Sequence, residues 1–240
     1  MCMQMKQFRD VEAGIYLEMM DIPDDNTHRE FICKVYMVIA IQLLLTALGI
    51  AAVVILIQPL AYFLAYSSVG LPFYLVICIA AIVSLCLLYS YDLANYLLLG
   101  VLTATLALLV GLTCAVATGK AILGSMILTI AMVILLTRYT FWAASRGHNF
   151  DFLRPFLCGA IVLIVVFASV QIIYPLGRIF VMFYGCFGTI AFSAYIICFT
   201  DGLIINAASY DKYIWAAVSL YVDFINLFLL LLSIFKALDY

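Results

Sequence analysis

The chain has 240 residues, of which 68% are hydrophobic and only 10% are charged. Soluble domains average roughly 45–50% apolar and about 25% charged residues. A mean hydropathy of +1.24 over the whole chain leaves too few polar side chains to cover a soluble globule. The 11 basic and 13 acidic residues provide no basic surface for nucleic acid. The composition therefore predicts a single bundle embedded in a lipid bilayer.

Apolar segments follow one another along the chain, and turn-forming or charged residues separate them. A helix needs about 20 apolar residues to cross a bilayer. The hydrophobicity is continuous rather than alternating, which excludes a transmembrane β-barrel. We therefore predict an all-α, polytopic bundle of seven transmembrane helices. The predicted spans are 33–57, 69–89, 96–117, 121–142, 155–174, 179–205 and 213–235.

The first 30 residues are polar and hold seven of the 13 acidic side chains. They contain no basic leader followed by a cleavage site, so they do not resemble a signal peptide. With the N-terminus in the cytosol, eight of the 11 Lys and Arg residues lie on the cytosolic side, as the positive-inside rule favours. We predict an acidic cytosolic tail over 1–30 and a transmembrane domain over 31–240.

Asp223 lies near the middle of the last predicted span. A charged side chain at that depth costs roughly 2.5–3.5 kcal/mol on insertion scales, and such residues are usually functional. On a helical wheel Asp223 shares a narrow stripe of small and polar residues with Ala216, Ser219 and Asn226. The stripe predicts that Asp223 faces the interior of the bundle. The alternative is a protonated carboxyl that only hydrogen-bonds a neighbouring helix.

Asp201 is the second intramembrane candidate, and the Gly202 that follows it favours a solvated helix end. If the sixth helix instead continues to about Asn206, Asp201 lies about 7.5 Å inside that end, whereas Asp223 lies about 15 Å into the next helix. Should the two carboxyls meet in a low dielectric, they cannot both ionise cheaply and would share one proton. Their deprotonated oxygens would be hard ligands for a cation such as calcium.

Segments at both ends of the chain resemble the Bax inhibitor-1 family, also called the transmembrane BAX inhibitor motif or lifeguard family. They are FICKVY at 31–36, QLLLT at 42–46 and SLYVDFINLF at 219–228. The nearest branch looks like the Golgi anti-apoptotic proteins and their viral homologues. The resemblance implies a pH-sensitive, calcium-permeable leak of the endoplasmic reticulum or Golgi that lowers store calcium and inhibits apoptosis. A viral copy would act on host internal membranes in a viroporin-like way.

By position, the resemblance assigns the ion path and pH sensor to Asp223 and Asp201, with transient calcium binding and no resident cofactor. Ser219 and Asn226 support them as neighbouring polar groups. The chain departs from the family at Asp201, because members place an aspartate before the threonine, where this chain has Phe199. It also lacks, over 87–92, the basic residue that latches the aspartate pair in relatives. We therefore expect a leakier and less tightly pH-gated conductance.

A second class of function also fits the sequence. The protein would then be a non-conducting membrane interaction protein that suppresses apoptosis by binding Bcl-2-type or calcium-release channel proteins. We expect no enzyme activity, because the Gly-x-Gly-Asp signature of intramembrane aspartyl proteases is absent. Serine and zinc hydrolases need histidine near the chemistry, and the two histidines lie in the tail and a loop. The expected partners are the bilayer and calcium ions; the sequence sets no oligomeric state.

Overall fold

The structure is a computed structural model, and its described residues are almost all helical. It describes residues 25–56, 95–144, 150, 153–173, 177–205 and 213–239, together with Arg146 and isolated positions between 59 and 84. The six long helices of the described part are all α-helices, as the composition predicts. The helices are α1 (Asp25–Leu56), α2 (Asn95–Ala115), α3 (Gly119–Ala144), α4 (Arg154–Ile173), α5 (Arg178–Ile205) and α6 (Tyr213–Leu238).

Five of these helices, α1, α2, α3, α5 and α6, are long and apolar enough to cross a membrane, and α4 carries a shorter apolar stretch, Pro155–Val170. Large apolar side chains such as Leu44, Ile134 and Phe183 are more than half exposed on the outer surface. A soluble protein rarely exposes so much apolar surface, whereas a lipid-facing bundle does. The chain is therefore a multi-pass membrane protein. Of the second predicted span, 69–89, only seven residues are described, and these seven are helical. The count of seven spans therefore stays a prediction.

Local signals in the sequence account for several helix ends. The hydroxyl of Thr118 accepts a hydrogen bond of 3.2 Å from the backbone N–H of Ala121 and so caps the start of α3. Pro155 lies in the first turn of α4, where its missing N–H costs nothing. Lys236 lies in the last turn of α6, where a cation favours the helix dipole. These signals set the helix boundaries independently of hydropathy.

Helices α1 and α2 run parallel and approach closely through small residues. A Cβ on Gly49 would lie 2.8 Å from Cβ of Ala107, and one on Gly111 would lie 2.8 Å from Cβ of Val53. Residue numbers therefore rise together along both helices. Because lipid provides no hydrophobic drive between helices, such close backbone approach supplies the packing energy. The chain leaves α1 at one end of the bundle and begins α2 at the opposite end.

Helices α5 and α6 form an antiparallel pair at the centre of the described bundle. A Cβ on Gly185 would lie 2.5 Å from Cγ1 of Ile234, and one on Gly188 would lie 2.7 Å from Cδ2 of Leu230. Helix α6 also contacts α1, α2 and α3, and it is the most buried of the five long apolar helices. It carries Tyr221, the largest fully buried side chain of the described residues. Helix α6 is therefore the central helix.

Candidate ion site

On the central helix, α6, the Asp223 side chain points towards α5. Asp223 precedes Leu230 by seven residues, or about two helical turns, so the two side chains share one face. Leu230 packs on Gly188 of α5, which fixes the direction of that face. Asp223 is partly buried there, as are Ser219 and Asn226. The arrangement puts a carboxyl at mid-helix, in the interface between two antiparallel spans.

The side chain that faces Asp223 across this interface is Tyr195. Continuing the antiparallel register set by Gly185 and Gly188 brings Tyr195 level with Asp223. The phenol of Tyr195 interacts electrostatically with the Asp223 carboxyl, and also with the thiols of Cys158 on α4 and Cys198 on α5. Tyr195 is therefore the described side chain that links Asp223 of α6 to α5 and, through its interaction with Cys158, to α4.

Asp201 is an interior residue of α5 rather than a solvated helix end. Helix α5 continues to Ile205, and Asp201 is only 2% exposed. Its Oδ2 accepts a hydrogen bond of 3.2 Å from the backbone N–H of Phe150, whose carbonyl in turn accepts a bond of 3.6 Å from Sγ of Cys198. Asp201 thus ties the connection between α3 and α4 to α5.

The two aspartates do not bond to each other in this structure. Oδ2 of Asp201 binds Phe150, and its Oδ1 has no hydrogen-bond partner among the described residues. In the register of α5 and α6, Asp201 lies level with Ala217, six residues from Asp223. At 1.5 Å per residue the offset is about 9 Å along the helix axis. The helices therefore keep the difference in depth that the sequence indicates, and each carboxyl has its own surroundings.

A hydrogen-bonded network joins α1, α2 and α6. The hydroxyls of Thr46 and Tyr221 lie 2.6 Å apart, and Thr46 also donates to the carbonyl of Gln42 at 2.7 Å. Nε2 of Gln42 donates to Oγ1 of Thr103 at 3.3 Å. The sequence pattern that indicates this network is the four-residue spacing of Gln42 and Thr46, which puts two polar side chains on neighbouring turns of one apolar helix. The network fixes α6 against α1 on the side away from α5.

Two cavities flank α1, and neither is lined by an aspartate. One of about 410 Å³ lies between α1 and α2, and one of about 500 Å³ lies between α1, α3 and α6. Their walls are almost entirely apolar, with Thr103 in the first and Thr46 and Thr129 in the second. Within the described residues no three His, Cys, Asp or Glu side chains converge on a metal position. Asp223 and Asp201 are thus single carboxyls at separate places.

The fold and these two carboxyls define a polytopic helical membrane protein with an ionisable group in its central helix. The family described as "Inhibitor of apoptosis-promoting Bax1" matches residues 28–239. Protein LIFEGUARD 4 of Arabidopsis thaliana is 50% identical over 231 residues, which cover 95% of this chain and 92% of that protein. Protein LIFEGUARD 2 of the same plant is 47% identical over 239 residues, or 98% of each chain.

A more distant relative is Bax inhibitor 1 of Schizosaccharomyces pombe, which is 29% identical over 151 residues, covering 63% of this chain and 55% of that protein. The family match spans most of the chain and includes every described helix from α2 to α6. The chain belongs to the Bax inhibitor-1, or lifeguard, family. The resemblance found in its two end motifs is confirmed.

Proposed function

We propose that the protein is a pH-sensitive, calcium-permeable leak of intracellular membranes that lowers store calcium and thereby inhibits apoptosis. The observation that carries this proposal is the position of Asp223 at mid-helix in α6, the helix that contacts α1, α2, α3 and α5. An intramembrane carboxyl is expensive to insert and commonly marks an ion pathway. The names of the relatives, lifeguard and Bax inhibitor, support the anti-apoptotic part.

In this proposal Asp223 provides the charge that makes the interface between α5 and α6 passable to a cation. Its ionised carboxylate attracts a cation strongly, because the surrounding dielectric is low. Calcium prefers six to eight oxygen ligands, so a single carboxylate holds it only transiently, as a leak requires. Ser219 and Asn226 offer neutral oxygens along the same stripe of α6. Protonation of Asp223 removes the charge, which makes the flux depend on pH.

Asp201 is the second carboxyl of the proposed path, about 9 Å from Asp223 along the same helix pair. Because the two carboxyls share no hydrogen bond, the proposed gate depends on Asp223 with Tyr195 rather than on a closed aspartate pair. This supports the expectation of a leaky conductance. We place the protein in the endoplasmic reticulum or Golgi. We place its N-terminus in the cytosol, because most of the basic residues then lie on the cytosolic side of the membrane.

The proposal is tested by calcium flux through the purified full chain in liposomes that contain a calcium indicator. We expect Asp223→Asn, which keeps the shape of the side chain and removes its charge, to lower the flux at least tenfold. The matched control is Ser233→Ala on the same helix, because the Ser233 hydroxyl donates only to the carbonyl of Leu229 in its own helix at 2.8 Å. Ser233→Ala should conduct like the unchanged chain.

The same preparation discriminates the conducting protein from the non-conducting interaction protein. If the unchanged chain passes no more calcium than empty liposomes at any pH, the leak is wrong. Protection of cells that survives Asp223→Asn would then favour the interaction protein. A flux that is equal in the unchanged chain and in Asp223→Asn would remove Asp223 from the path.

A further inference from the structure

A long apolar pocket lies between α1 and α3, with α6 as its back wall. It has a volume of about 500 Å³, and each of the three helices contributes one face to it. Helix α3 lines the pocket from Ile122 to Ile134, at spacings that keep to one side of a helix. Because these 12 steps rise about 18 Å, the pocket is elongated along the helix axes.

The mouth of this pocket belongs to the lipid-facing surface of the bundle. Leu43 on α1 lines the pocket together with Met126, Ile130 and Ile134 on α3, and these side chains are between 37% and 53% exposed. Helices α1 and α3 both pack on α6 but make little contact with each other. The pocket is therefore reached sideways from the bilayer, through the gap between α1 and α3.

Two hydroxyl groups lie in the pocket wall, and both already have hydrogen-bond partners. Thr46 donates to the carbonyl of Gln42 at 2.7 Å, and Thr129 donates to that of Ser125 at 2.7 Å. The other wall residues are apolar. A polar ligand would lose its hydrogen bonds to water here and gain few in exchange, which is costly. The wall therefore favours a hydrocarbon.

The dimensions of the pocket favour a hydrocarbon chain over a second protein helix. A helix with its side chains is about 10–12 Å across, so about 18 Å of helix occupies on the order of 1,400 Å³. The pocket has about 500 Å³. Apolar cavities take up apolar ligands, because an empty cavity deprives its walls of dispersion contacts. Continuity with the lipid-facing surface makes a bilayer lipid the source of such a chain.

We propose that this pocket binds one acyl chain of a bilayer phospholipid, which enters between α1 and α3 and packs on α6. The α6 wall consists of Phe224, Ile225 and Phe228. At about 100° per residue these side chains lie on the side of α6 away from Asp223. The bound chain thus supports the central helix from the side opposite the proposed ion path. The site goes beyond the proposed function and does not depend on it.

The test is photo-crosslinking of the purified full chain in phosphatidylcholine vesicles. The probe is a phosphatidylcholine with a diazirine at the end of one acyl chain, and mass spectrometry of peptides locates the labels. We expect labels on the α6 wall, where Phe224 and Ile225 are buried from lipid outside the pocket. A second probe, with the diazirine beside the headgroup, should label helix ends and not this wall, because the wall lies in the middle of α6.

Variants that fill the pocket should remove the label from the α6 wall. Ala47→Trp on α1 puts a large ring into the pocket, and we expect it to reduce this label at least fivefold. Thr129→Phe should do the same from α3. The matched control is Ala131→Trp, because Ala131 is exposed on α3 and does not line the pocket. Labels at Leu163, on the outer surface of α4, provide the reference for every variant.

An α6 wall that carries no label from the chain-end probe in the unchanged protein would overturn the proposal. Equal labelling of this wall in Ala47→Trp and Ala131→Trp would also overturn it. Labels that join the pocket to a second copy of the chain would make the pocket an interface between copies instead. Because the readout is the position of a label and not calcium flux, failure of this site and failure of the proposed leak are distinguishable.

Discussion

Asp223 and Asp201 lie on neighbouring antiparallel helices, and yet their surroundings differ in almost every respect. Asp223 is partly buried in the middle of the central helix and faces the phenol of Tyr195. Asp201 is almost fully buried near a helix end and accepts the backbone N–H of Phe150. We propose that the first carboxyl exchanges a proton or an ion, whereas the second fixes the connection between α3 and α4 to α5. Their place in the packing, not their residue type, separates these two roles.

The close packing of α5 on α6 keeps the two carboxyls at separate levels along the helix axes. Disrupting this contact should have the largest effect on the free energy of unfolding. A Cβ on Gly185 would lie 2.5 Å from Ile234, so Gly185→Val forces the helices apart. We expect a loss of about 1–3 kcal/mol in the free energy of unfolding, as for other overpacked cores. The measurement is chemical or thermal unfolding in detergent.

The control for that change is Gly159→Val on α4, because a Cβ there meets nothing within 4 Å. Both substitutions carry the same change in helix propensity, so their difference isolates the helix contact. Equal losses in the two variants would show that the contact between α5 and α6 does not set the stability.

Alanine variants of the two aspartates should differ in their free energy of unfolding. Asp201→Ala removes a buried hydrogen bond to the backbone of Phe150, and we expect it to cost about 1.5–3 kcal/mol. Asp223→Ala should cost less than half as much, because Asp223 is partly exposed. Unfolding of both variants checks this order. A larger cost for Asp223→Ala would reverse the roles that we assign to the two residues.

Much of the fold could be predicted from the sequence, because hydropathy and turn residues act locally. Helices α5 and α6 end and begin at Ile205 and Tyr213, where the predicted spans do. Helix α1 begins at Asp25, eight residues before its predicted span, because hydropathy reports the part that crosses the lipid and not the whole helix. The last residues of the predicted tail therefore belong to α1.

The surroundings of the aspartates were harder to predict. Asp223 stood out because a carboxylate is rare in an apolar helix, but Tyr195 and Tyr221 looked like any other aromatic side chain in a span. Which phenol meets a carboxyl depends on the helix register, and that register is set by Gly185 and Gly188 against side chains more than 40 residues away. Such long-range contacts leave no local pattern in a single sequence.

The hydrogen-bonded network between α1 and α6 lies on the side of α6 opposite Asp223 and holds that helix in place. The hydroxyls of Thr46 and Tyr221 lie 2.6 Å apart in the protein interior. A double-mutant cycle with Thr46→Val and Tyr221→Phe should give a coupling energy of about 0.5–1.5 kcal/mol in unfolding. A coupling of zero would mean that the two hydroxyls add nothing to the position of α6.

The smallest expected effect concerns the phenol that faces Asp223. Tyr195→Phe removes one polar group beside the carboxyl, and the loss of one hydrogen-bonding group corresponds to about half to one pH unit. We expect the pH of half-maximal calcium flux to move by that amount while the maximal flux is unchanged. Tyr184→Phe is the control, since the Tyr184 ring stacks on Phe167 at 5.3 Å. Identical pH profiles for the two variants would remove Tyr195 from the gate.

The most direct test of the central claim is the pH profile of calcium flux through the purified chain and its Asp223→Asn variant. The account predicts that the calcium flux through the unchanged chain rises with pH as Asp223 loses its proton, and that the flux is present at neutral pH. It predicts that Asp223→Asn loses both most of the flux and its pH dependence. A flux that shuts off fully at neutral pH would contradict the leaky gate. An unchanged profile in Asp223→Asn would contradict the account as a whole.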